Sequence, residues 1–218
     1  MYKVSEIYYT LQGEGLHAGL PCILLRLSGC NLWASPKVAS KTCVFCDTPQ
    51  LHEGKEMSLD DILKAFRSHR KKTLIGKPGL VITGGEPLLQ LDQEMVDVMS
   101  GLFPWVDVET NGSLPLKAHY DPRRVFISCS PKTAIGAVKV NPSWWKILIP
   151  DKESLIDDAV AYSPQVPIYL QPTMPHSTKE FEGIDTQEYG DNLSRCASLA
   201  LRYGFGVSLQ LHKYLDLL

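Results

Sequence analysis

The chain has 218 residues, in which 22 Lys and Arg residues nearly balance 24 Asp and Glu residues. This balance argues against a protein that coats nucleic acids or binds anionic membranes through a basic surface. With 44% hydrophobic and 21% charged residues, the composition is typical of one globular domain over 1–218. The sequence has no apolar run long enough to cross a membrane, and its start lacks the apolar core of a signal peptide. We therefore expect a cytoplasmic protein.

Short apolar runs alternate with amphipathic stretches along the chain. Runs rich in β-branched, aromatic and Leu residues are predicted to be strands at 22–27, 79–83, 105–109, 124–129, 144–149, 167–171 and 205–212. Apolar residues recur at helical spacing over 58–66 with Ser58 as the cap, over 91–102, over 152–162 and over roughly 187–203. This alternation predicts an α/β fold with a mostly parallel sheet, either doubly wound or curled toward a barrel. Because a complete TIM barrel would be cramped at this length, an incomplete TIM-like barrel with helices outside is favoured.

Polar or glycine-rich segments follow five of the predicted strands. They are SGC after the first strand, TGGEP, ETNG and CSPK after the next three, and QPT after the sixth. In both parallel architectures the carboxyl ends of the strands form the active face. These segments are therefore predicted to meet at one shared pocket.

Three of the six cysteines lie close together in a loop with little regular pattern. Cys30, Cys43 and Cys46 have the spacing C-x12-C-x2-C, which lets two thiolates grip one metal centre while the third approaches from the far end of the loop. A structural zinc site needs a fourth ligand, for which His52 is the only near candidate. Three protein ligands leave a metal position open, and an iron–sulfur cluster with one free iron fits that arrangement. The other cysteines are predicted to be buried apolar residues: Cys22, Cys129 and Cys196.

The cysteine loop and the strand-end segments resemble a known family. The three cysteines followed by a GGEP turn resemble the motifs of the radical S-adenosylmethionine superfamily. The twelve residues between Cys30 and Cys43 are a wider spacing than that superfamily usually has. The enlarged loop at about 28–50 is similar to that of the 7-carboxy-7-deazaguanine synthases of queuosine and deazapurine biosynthesis. The likeness consists of YTLQGEG (9–15), RLSGCNLW (26–33), FCDT (45–48), ITGGEP (82–87), ETNG (109–112), SPK (130–132), QPT (171–173) and LQLHKYL (209–215).

The resemblance implies a particular reaction and its cofactors. A 4Fe–4S cluster on the three cysteines would chelate S-adenosylmethionine at its open iron, and reduction of the cluster would release a 5′-deoxyadenosyl radical. The radical would abstract the hydrogen at C6 of 6-carboxy-5,6,7,8-tetrahydropterin, whose ring then contracts with loss of ammonia to give 7-carboxy-7-deazaguanine. Deoxyadenosine would return a hydrogen, so S-adenosylmethionine would act catalytically. The protein would supply geometry and exclusion of water.

The resemblance also assigns residues to the cofactors. Gly85 is assigned to a close backbone contact with the methionyl end of S-adenosylmethionine, which a glycine permits. Further contacts with this cofactor are assigned to Phe45, Cys46, Asp47, Ser130, Pro131, Lys132, Gln171, Pro172, Thr173 and Met174. Thr48 is assigned to Mg²⁺, whose preference for oxygen ligands suits a hydroxyl together with substrate oxygens and water.

The implied substrate needs two kinds of polar partner. A carboxylate or an amide can pair with the donor edge of its aminopyrimidinone ring, and Gln12 and Glu14 are both candidates. A guanidinium can bind its carboxylate in a bidentate manner, which favours Arg26 unless that residue forms an internal salt bridge. By resemblance the substrate site also includes Leu11, Gly13 and Thr83.

The resemblance also implies partners, and two other functions stay open. A homodimer and a transient flavodoxin or ferredoxin reductant are expected, with no nucleic-acid or membrane partner. The C-terminal residues 215–218 are expected near the substrate. A radical-generating activase would share the cluster but would need a groove for a peptide of a partner protein. A zinc-stabilised binding module would hold zinc in place of a cluster.

Overall fold

The structure is a computed structural model that describes residues 1–33, 43, 46, 53–70, 76–162, 164–173, 187–215 and 217. These residues form nine strands and five α-helices. The strands are β1 (Tyr2–Leu11), β2 (Pro21–Leu27), β3 (Lys55–Met57), β4 (Gly79–Gly84), β5 (Val106–Thr110), β6 (Val125–Cys129), β7 (Trp144–Ile149), β8 (Ile168–Pro172) and β9 (Gly206–Val207). The helices are α1 (Leu59–Arg70), α2 (Gln93–Leu102), α3 (Ile156–Tyr162), α4 (Gln187–Tyr203) and α5 (Leu211–Tyr214).

The described strands form one sheet with the order β3-β1-β2-β4-β5-β6-β7-β8-β9. β1 is antiparallel to both of its neighbours, and every pairing from β2 to β9 is parallel. Within the described part of the chain β3 and β9 are the two edges, so the sheet is open. The predicted α/β fold with an incomplete, TIM-like barrel of parallel strands is confirmed, and β1 and β3 extend it on one side.

Two apolar clusters fill the space between the sheet and the helices. The first is formed by β1, β2, β4, β5 and β6 with α1 and α2, and it includes Phe66 and Met95. The second joins β7 and β8 to α3 and α4. Burial of this apolar surface is the dominant favourable contribution to folding. As predicted, Cys22, Cys129 and Cys196 are fully buried.

Two helices begin at side-chain caps. The Oγ atom of Ser58 accepts a hydrogen bond from the backbone N–H of Asp61 over 3.2 Å, which starts α1 where the sequence predicts it. The Oδ1 atom of Asp92 accepts one from the backbone N–H of Met95 over 2.9 Å and starts α2. Each cap satisfies a backbone donor that the first helical turn leaves without a partner.

Three predicted elements differ from the structure. β1 and β3 are additional strands, and α3 begins only after a 3-10 turn at Glu153–Leu155. The predicted strand 205–212 is wrong beyond Val207, because the chain turns there and continues into α5. The turn lets the amide of Gln210 donate to Glu14 over 3.0 Å, so a buried polar contact replaces strand pairing. None of the helices in the described part of the chain is long and apolar enough to cross a membrane.

Candidate functional site

Residues from β1, β2, β4, β5, β7 and β8 line a cavity of about 830 Å³. One end of the cavity, which we call the rim, is formed by segments that follow the parallel strands and includes Cys30, Gly85, Asn111 and Ser130. The other end, which we call the floor, is formed by residues 12–14. These residues follow β1, and because β1 is antiparallel to β2 they lie at the opposite end of the sheet. The strand-end segments thus meet at one pocket, which also extends along the strands to a second polar end.

The rim brings together three cysteines. Cys30, Cys43 and Cys46 all line the cavity, and the backbone N–H of Cys46 donates to the carbonyl of Cys43 over 3.2 Å. Burial raises the pKa of the Cys30 thiol, and the nearby Cys43 and Cys46 add to the rise. Among the described residues, no group of three or more His, Cys, Asp or Glu side chains is arranged to hold a single metal ion. A four-iron cluster has a larger core than one ion and spreads its thiolate ligands over that core.

The Gly-Gly turn after β4 holds the start of the cysteine loop. The N–H of Gly85 donates to the carbonyl of Leu27 over 3.2 Å, and the N–H of Glu86 donates to that of Gly29 over 2.8 Å. A Cβ atom on Gly85 would lie 2.3 Å from the Gly29 oxygen and 2.8 Å from the Cβ of Cys30. Position 85 therefore requires a glycine, because any side chain would push the cysteine loop away from the turn.

Glu86 ties this turn to the end of β5. Its buried carboxylate accepts hydrogen bonds from the Thr110 hydroxyl at 2.7 Å and from the backbone N–H groups of Asn111 and Leu88 at 2.8 and 3.0 Å. Burial raises the pKa of Glu86, and the three donors oppose the rise. Two neighbouring strand ends are thereby fixed to each other at the rim.

A lysine lies on the opposite side of the rim. Lys132 lines the cavity, and its ammonium donates to the Ser130 hydroxyl over 2.5 Å. Burial, together with the charge of Lys146, lowers the pKa of Lys132 to about 8. The rim thus places a cationic donor in the same cavity as the three thiols.

A charged pair lies at the floor. Glu14 and Lys146 are both buried and form an ion pair, and the Glu14 carboxylate also accepts hydrogen bonds from the amides of Gln171 at 3.2 Å and Gln210 at 3.0 Å. Burial opposes the charge of Glu14, but the ammonium of Lys146 holds its pKa below the ordinary value. The floor therefore carries a carboxylate that stays ionised.

A second acidic group lies beside this pair. Glu109 lines the cavity and accepts hydrogen bonds from the Thr83 hydroxyl at 3.0 Å and the Gln12 amide at 3.4 Å. Burial raises the pKa of Glu109, Lys146 opposes the rise, and the charge of Glu14 adds to it. Together with Gln12 and Glu14 of the floor, Glu109 makes this part of the cavity rich in hydrogen-bond acceptors, and we count it with the floor from here on.

Arg26 lies on the wall of the cavity between rim and floor. Its Nε atom donates to the Oε2 atom of Glu6, its cross-strand neighbour on β1, over 2.7 Å. The internal salt bridge considered from the sequence is therefore present. Arg26 and Glu6 both line the cavity, so the guanidinium remains part of its wall.

The structure brings most of the predicted site residues to this cavity. Those that line it are Cys30, Cys43, Cys46, Gly85, Ser130, Lys132, Gln171, Pro172, Thr173, Leu11, Gln12, Gly13, Glu14, Arg26 and Thr83. Pro131 is buried but is not among the lining residues. Predicted positions that lie outside the described residues are Phe45, Asp47, Thr48, His52 and Met174.

Other lining residues were not predicted from the sequence. Lys146 could have been identified from the sequence, because burying a lysine within the apolar run WWKILI costs free energy unless the lysine is paired. Glu109 begins the ETNG segment and could have been assigned with it. Gln210 and His212 lie in the segment LQLHKYL, which belongs to the family resemblance but was predicted as a strand and was given no site role.

Fold and cavity together define an α/β protein with a partial barrel that surrounds a polar cavity between the carboxyl ends of its strands and a polar floor. No family model matches the chain. It is 38% identical over 173 residues to a 7-carboxy-7-deazaguanine synthase of Burkholderia multivorans, covering 72% of the chain and 77% of the relative. It is 31% identical to that of Caulobacter vibrioides and 32% identical to that of Nitratidesulfovibrio vulgaris, each with 99% of both chains covered. The chain therefore belongs to the 7-carboxy-7-deazaguanine synthase family.

A solved structure shows the same fold. The crystal structure of QueE from Escherichia coli matches with a TM-score of 0.69 at 22% identity, covering 96% of this chain and 93% of that one. This likeness supports the partial-barrel architecture.

Proposed function

We propose that the chain converts 6-carboxy-5,6,7,8-tetrahydropterin into 7-carboxy-7-deazaguanine with loss of ammonia, as a radical S-adenosylmethionine lyase of queuosine and deazapurine biosynthesis. The observation that carries the proposal is one cavity that joins a rim with three cysteines to a floor rich in hydrogen-bond acceptors. Family membership favours this function over the activase and the zinc-stabilised module.

The chemistry of the rim suits a 4Fe–4S cluster held by Cys30, Cys43 and Cys46. All six cysteines are free thiols, and three of them face one cavity, as a cluster with one iron left for a further ligand requires. When bound, the cluster and S-adenosylmethionine would supply the radical chemistry that removes a hydrogen from the substrate. The chain itself would hold the thiols, orient both ligands and exclude water.

The residues around the cysteines would hold S-adenosylmethionine. Gly85 would let its methionyl end approach the turn closely, and Lys132 would face its carboxylate as a donor. Further contacts would come from Ser130, Pro131, Gln171, Pro172 and Thr173, and from Phe45, Cys46, Asp47 and Met174.

The floor would bind the aminopyrimidinone edge of the pterin through hydrogen bonds. That edge presents N–H donors, and Gln12, Glu14 and Glu109 supply acceptors. Lys146 would keep Glu14 ionised, so that its hydrogen bond to the ligand is charge-assisted and stronger than a neutral one. Leu11, Gly13 and Thr83 would complete this part of the site.

Arg26 would bind the carboxylate of the pterin. Its Nε atom is engaged by Glu6, which keeps the guanidinium against the cavity wall. A planar guanidinium offers further donors in a fixed geometry that matches a carboxylate. This arrangement would set the substrate with its acid toward the wall and its donor edge toward the floor.

The remaining parts of the proposal rest on the family resemblance. Thr48 would contribute a hydroxyl ligand to Mg²⁺, which would bind mainly with the substrate. The chain would act as one domain with an enlarged cluster loop at about 28–50, as a homodimer in the cytoplasm, and would receive electrons from flavodoxin or ferredoxin.

Product analysis tests the proposed function. Protein reconstituted anaerobically with iron and sulfide is reduced and incubated with Mg²⁺, S-adenosylmethionine and carboxytetrahydropterin, and the products are identified by mass spectrometry. We expect 7-carboxy-7-deazaguanine and ammonia in equal amounts, with more than one turnover per S-adenosylmethionine. Cluster-loaded protein that cleaves S-adenosylmethionine but leaves the pterin unchanged would contradict the proposal.

A further inference from the structure

Hydrogen bonds beneath the floor link His17 to Gln12. The Nδ1 atom of His17 lies 2.8 Å from the Oδ1 atom of Asp107, and the Nε2 atom of Gln12 donates to the Oδ2 atom of the same carboxylate over 3.2 Å. Asp107 is 1% exposed and Gln12 is 4% exposed, so these two side chains are shielded from competing water, while the side chain of His17 is 15% exposed. Because each oxygen of Asp107 has its own donor, the carboxylate fixes His17 and Gln12 relative to each other.

Aromatic packing holds the ring of His17 in place. It stacks on Trp105 with ring centroids 4.1 Å apart and an angle of 5° between the planes, and it packs edge-on with Phe126 with ring centroids 4.9 Å apart. Phe126 lies on β6 directly beside Asp107 on β5. The N–H donor of His17 therefore reaches Asp107 from a fixed direction.

The orientation of the Gln12 amide decides what this part of the floor offers to a ligand. Its Nε2 atom faces the carboxylates of Asp107 and Glu109, and its Oε1 atom accepts a hydrogen bond from the backbone N–H of Glu14 over 3.3 Å. A flipped amide would set its oxygen against the Asp107 carboxylate, and two acceptors repel each other. The observed orientation therefore places the amide oxygen on the same side as the Glu14 backbone and keeps the floor rich in acceptors.

We propose that His17 is a positioning residue that fixes the Gln12 amide in this orientation through Asp107, and that it thereby sets the preference of the floor for ligand edges with N–H donors. The inference rests on the proposed function for the identity of the ligand. Without the bond to His17, one oxygen of a buried carboxylate would lose its donor, and Asp107 would reorient to recover one. Gln12 would then lose the shorter of its two carboxylate contacts and would be held only by the longer contact with Glu109 and by the Glu14 backbone.

Two substitutions separate the hydrogen bond of His17 from its packing. His17→Phe keeps a ring that can stack on Trp105 but removes the donor to Asp107. His17→Asn keeps an N–H donor near the position of Nδ1 but removes the stacked ring. His119→Phe is the matched control, because His119 is an exposed histidine outside this group of contacts.

The measurements are binding and thermal unfolding of the cluster-loaded protein. Calorimetry gives the affinity for 6-carboxypterin and for its 2-oxo analogue, which lacks the exocyclic amine. We expect His17→Phe to bind 6-carboxypterin about fivefold more weakly, the effect of losing one typical hydrogen bond, and to lose most of its preference over the analogue. His17→Asn and His119→Phe should keep the wild-type preference, even if His17→Asn has the lower Tm.

Two results would overturn the inference. One is an unchanged ligand preference in His17→Phe. The other is an affinity that follows Tm across the variants, because a residue that only stabilises the fold would act through stability and not through the hydrogen bond. Failure of the wild-type protein to bind either pterin, with its cluster intact, would instead contradict the proposed function.

Discussion

The Nζ atom of Lys146 and the Oε2 atom of Glu14 form an ion pair at the floor of the cavity, although 132 residues separate them in the chain. The Lys146 side chain is 11% exposed and that of Glu14 is 8% exposed, so solvent screens the pair only weakly. The pair holds the pKa of Glu14 below its ordinary value against the effect of burial. Lys146 therefore sets the charge of the floor.

Replacing this lysine should destabilise the protein in a pH-dependent manner. Lys146→Met leaves a buried carboxylate without its cation, which should lower the free energy of unfolding by about 3 kcal/mol at neutral pH. In the wild type, the lowered pKa of Glu14 means that the pair stabilises at neutral pH and that this contribution is lost as the pH falls through that pKa. In the variant, burial is opposed only by the amide donors and His212 and no longer by Lys146, so the pKa of Glu14 rises and stability should decrease as the pH rises from about 4 to about 7.

Chemical denaturation at several pH values measures this effect. Lys139→Met is the control, because Lys139 is exposed, and it should match the wild type. Combining Lys146→Met with Glu14→Gln should recover most of the lost stability, since the carboxylate that forms the ion pair with Lys146 is then neutral as well. An identical pH profile in Lys146→Met and the wild type would show that the pair does not control the charge of Glu14.

Cluster assembly should depend on three of the six cysteines. Cys30→Ala, Cys43→Ala and Cys46→Ala should each abolish it, because the proposed cluster has no other protein ligands. Cys196→Ala is the control, since Cys196 is fully buried against α3, β7 and β8 in the second apolar cluster. Iron and sulfide content and visible absorption after anaerobic reconstitution measure the outcome. An intact cluster in the Cys43 variant, or tight zinc without cluster absorption in the wild type, would count against the assignment.

The turn after β4 should not tolerate a side chain. Gly85→Ala places a Cβ atom 2.3 Å from the Gly29 oxygen, so the cysteine loop must shift. We expect a loss of about 2 kcal/mol in stability, in the range measured for overpacking. Affinity for S-adenosylmethionine in equilibrium dialysis should fall with it. Gly136→Ala is the matched control because a Cβ there meets nothing within 4 Å, and equal behaviour of the two variants would refute the argument.

Arg26 should affect the pterin more than S-adenosylmethionine. Arg26→Ala should weaken pterin binding by about 2 kcal/mol, roughly thirtyfold, because a charge-assisted hydrogen bond is lost. Cleavage of S-adenosylmethionine without pterin should change little. Arg123→Ala provides the control, since Arg123 pairs with Asp121 at the surface. The rate of S-adenosylmethionine cleavage and the pterin affinity are measured separately. A comparable loss in the cleavage rate and in the affinity would show that Arg26 supports the fold and does not act on the substrate.

The elements that a short sequence pattern marks, such as an apolar run or a helix cap, could be predicted from the sequence. The parallel strands are continuous apolar runs, and the cap at Ser58 marks the start of α1 within one residue. β1 is absent from the predicted elements because its cavity face carries polar residues such as Glu6 and Thr10 where a core strand would have apolar ones. Local pattern therefore identifies strands that are buried on both faces better than a strand that borders a polar cavity.

In the candidate site, too, one part could be predicted from the sequence and the other could not. The rim follows from the rule that parallel strands end on one face, so Cys30, Gly85 and Ser130 could be expected together. The contacts of the floor could not, since nothing in the sequence near Glu14 indicates that Lys146 and Gln210 will reach it. Such pairs depend on tertiary packing, which a single sequence does not reveal.

Three hydrogen-bond donors to Glu14 come from positions 132, 157 and 196 residues further along the chain. Contacts of such long range form late, because large loops must close before they are made. During translation, Glu14 emerges well before Gln210, so a nascent chain that has not yet reached α5 lacks one of the donors of this carboxylate. A truncated chain that ends before Gln210 would therefore leave the Glu14 carboxylate with one donor fewer, and premature termination at that point would damage the floor of the cavity.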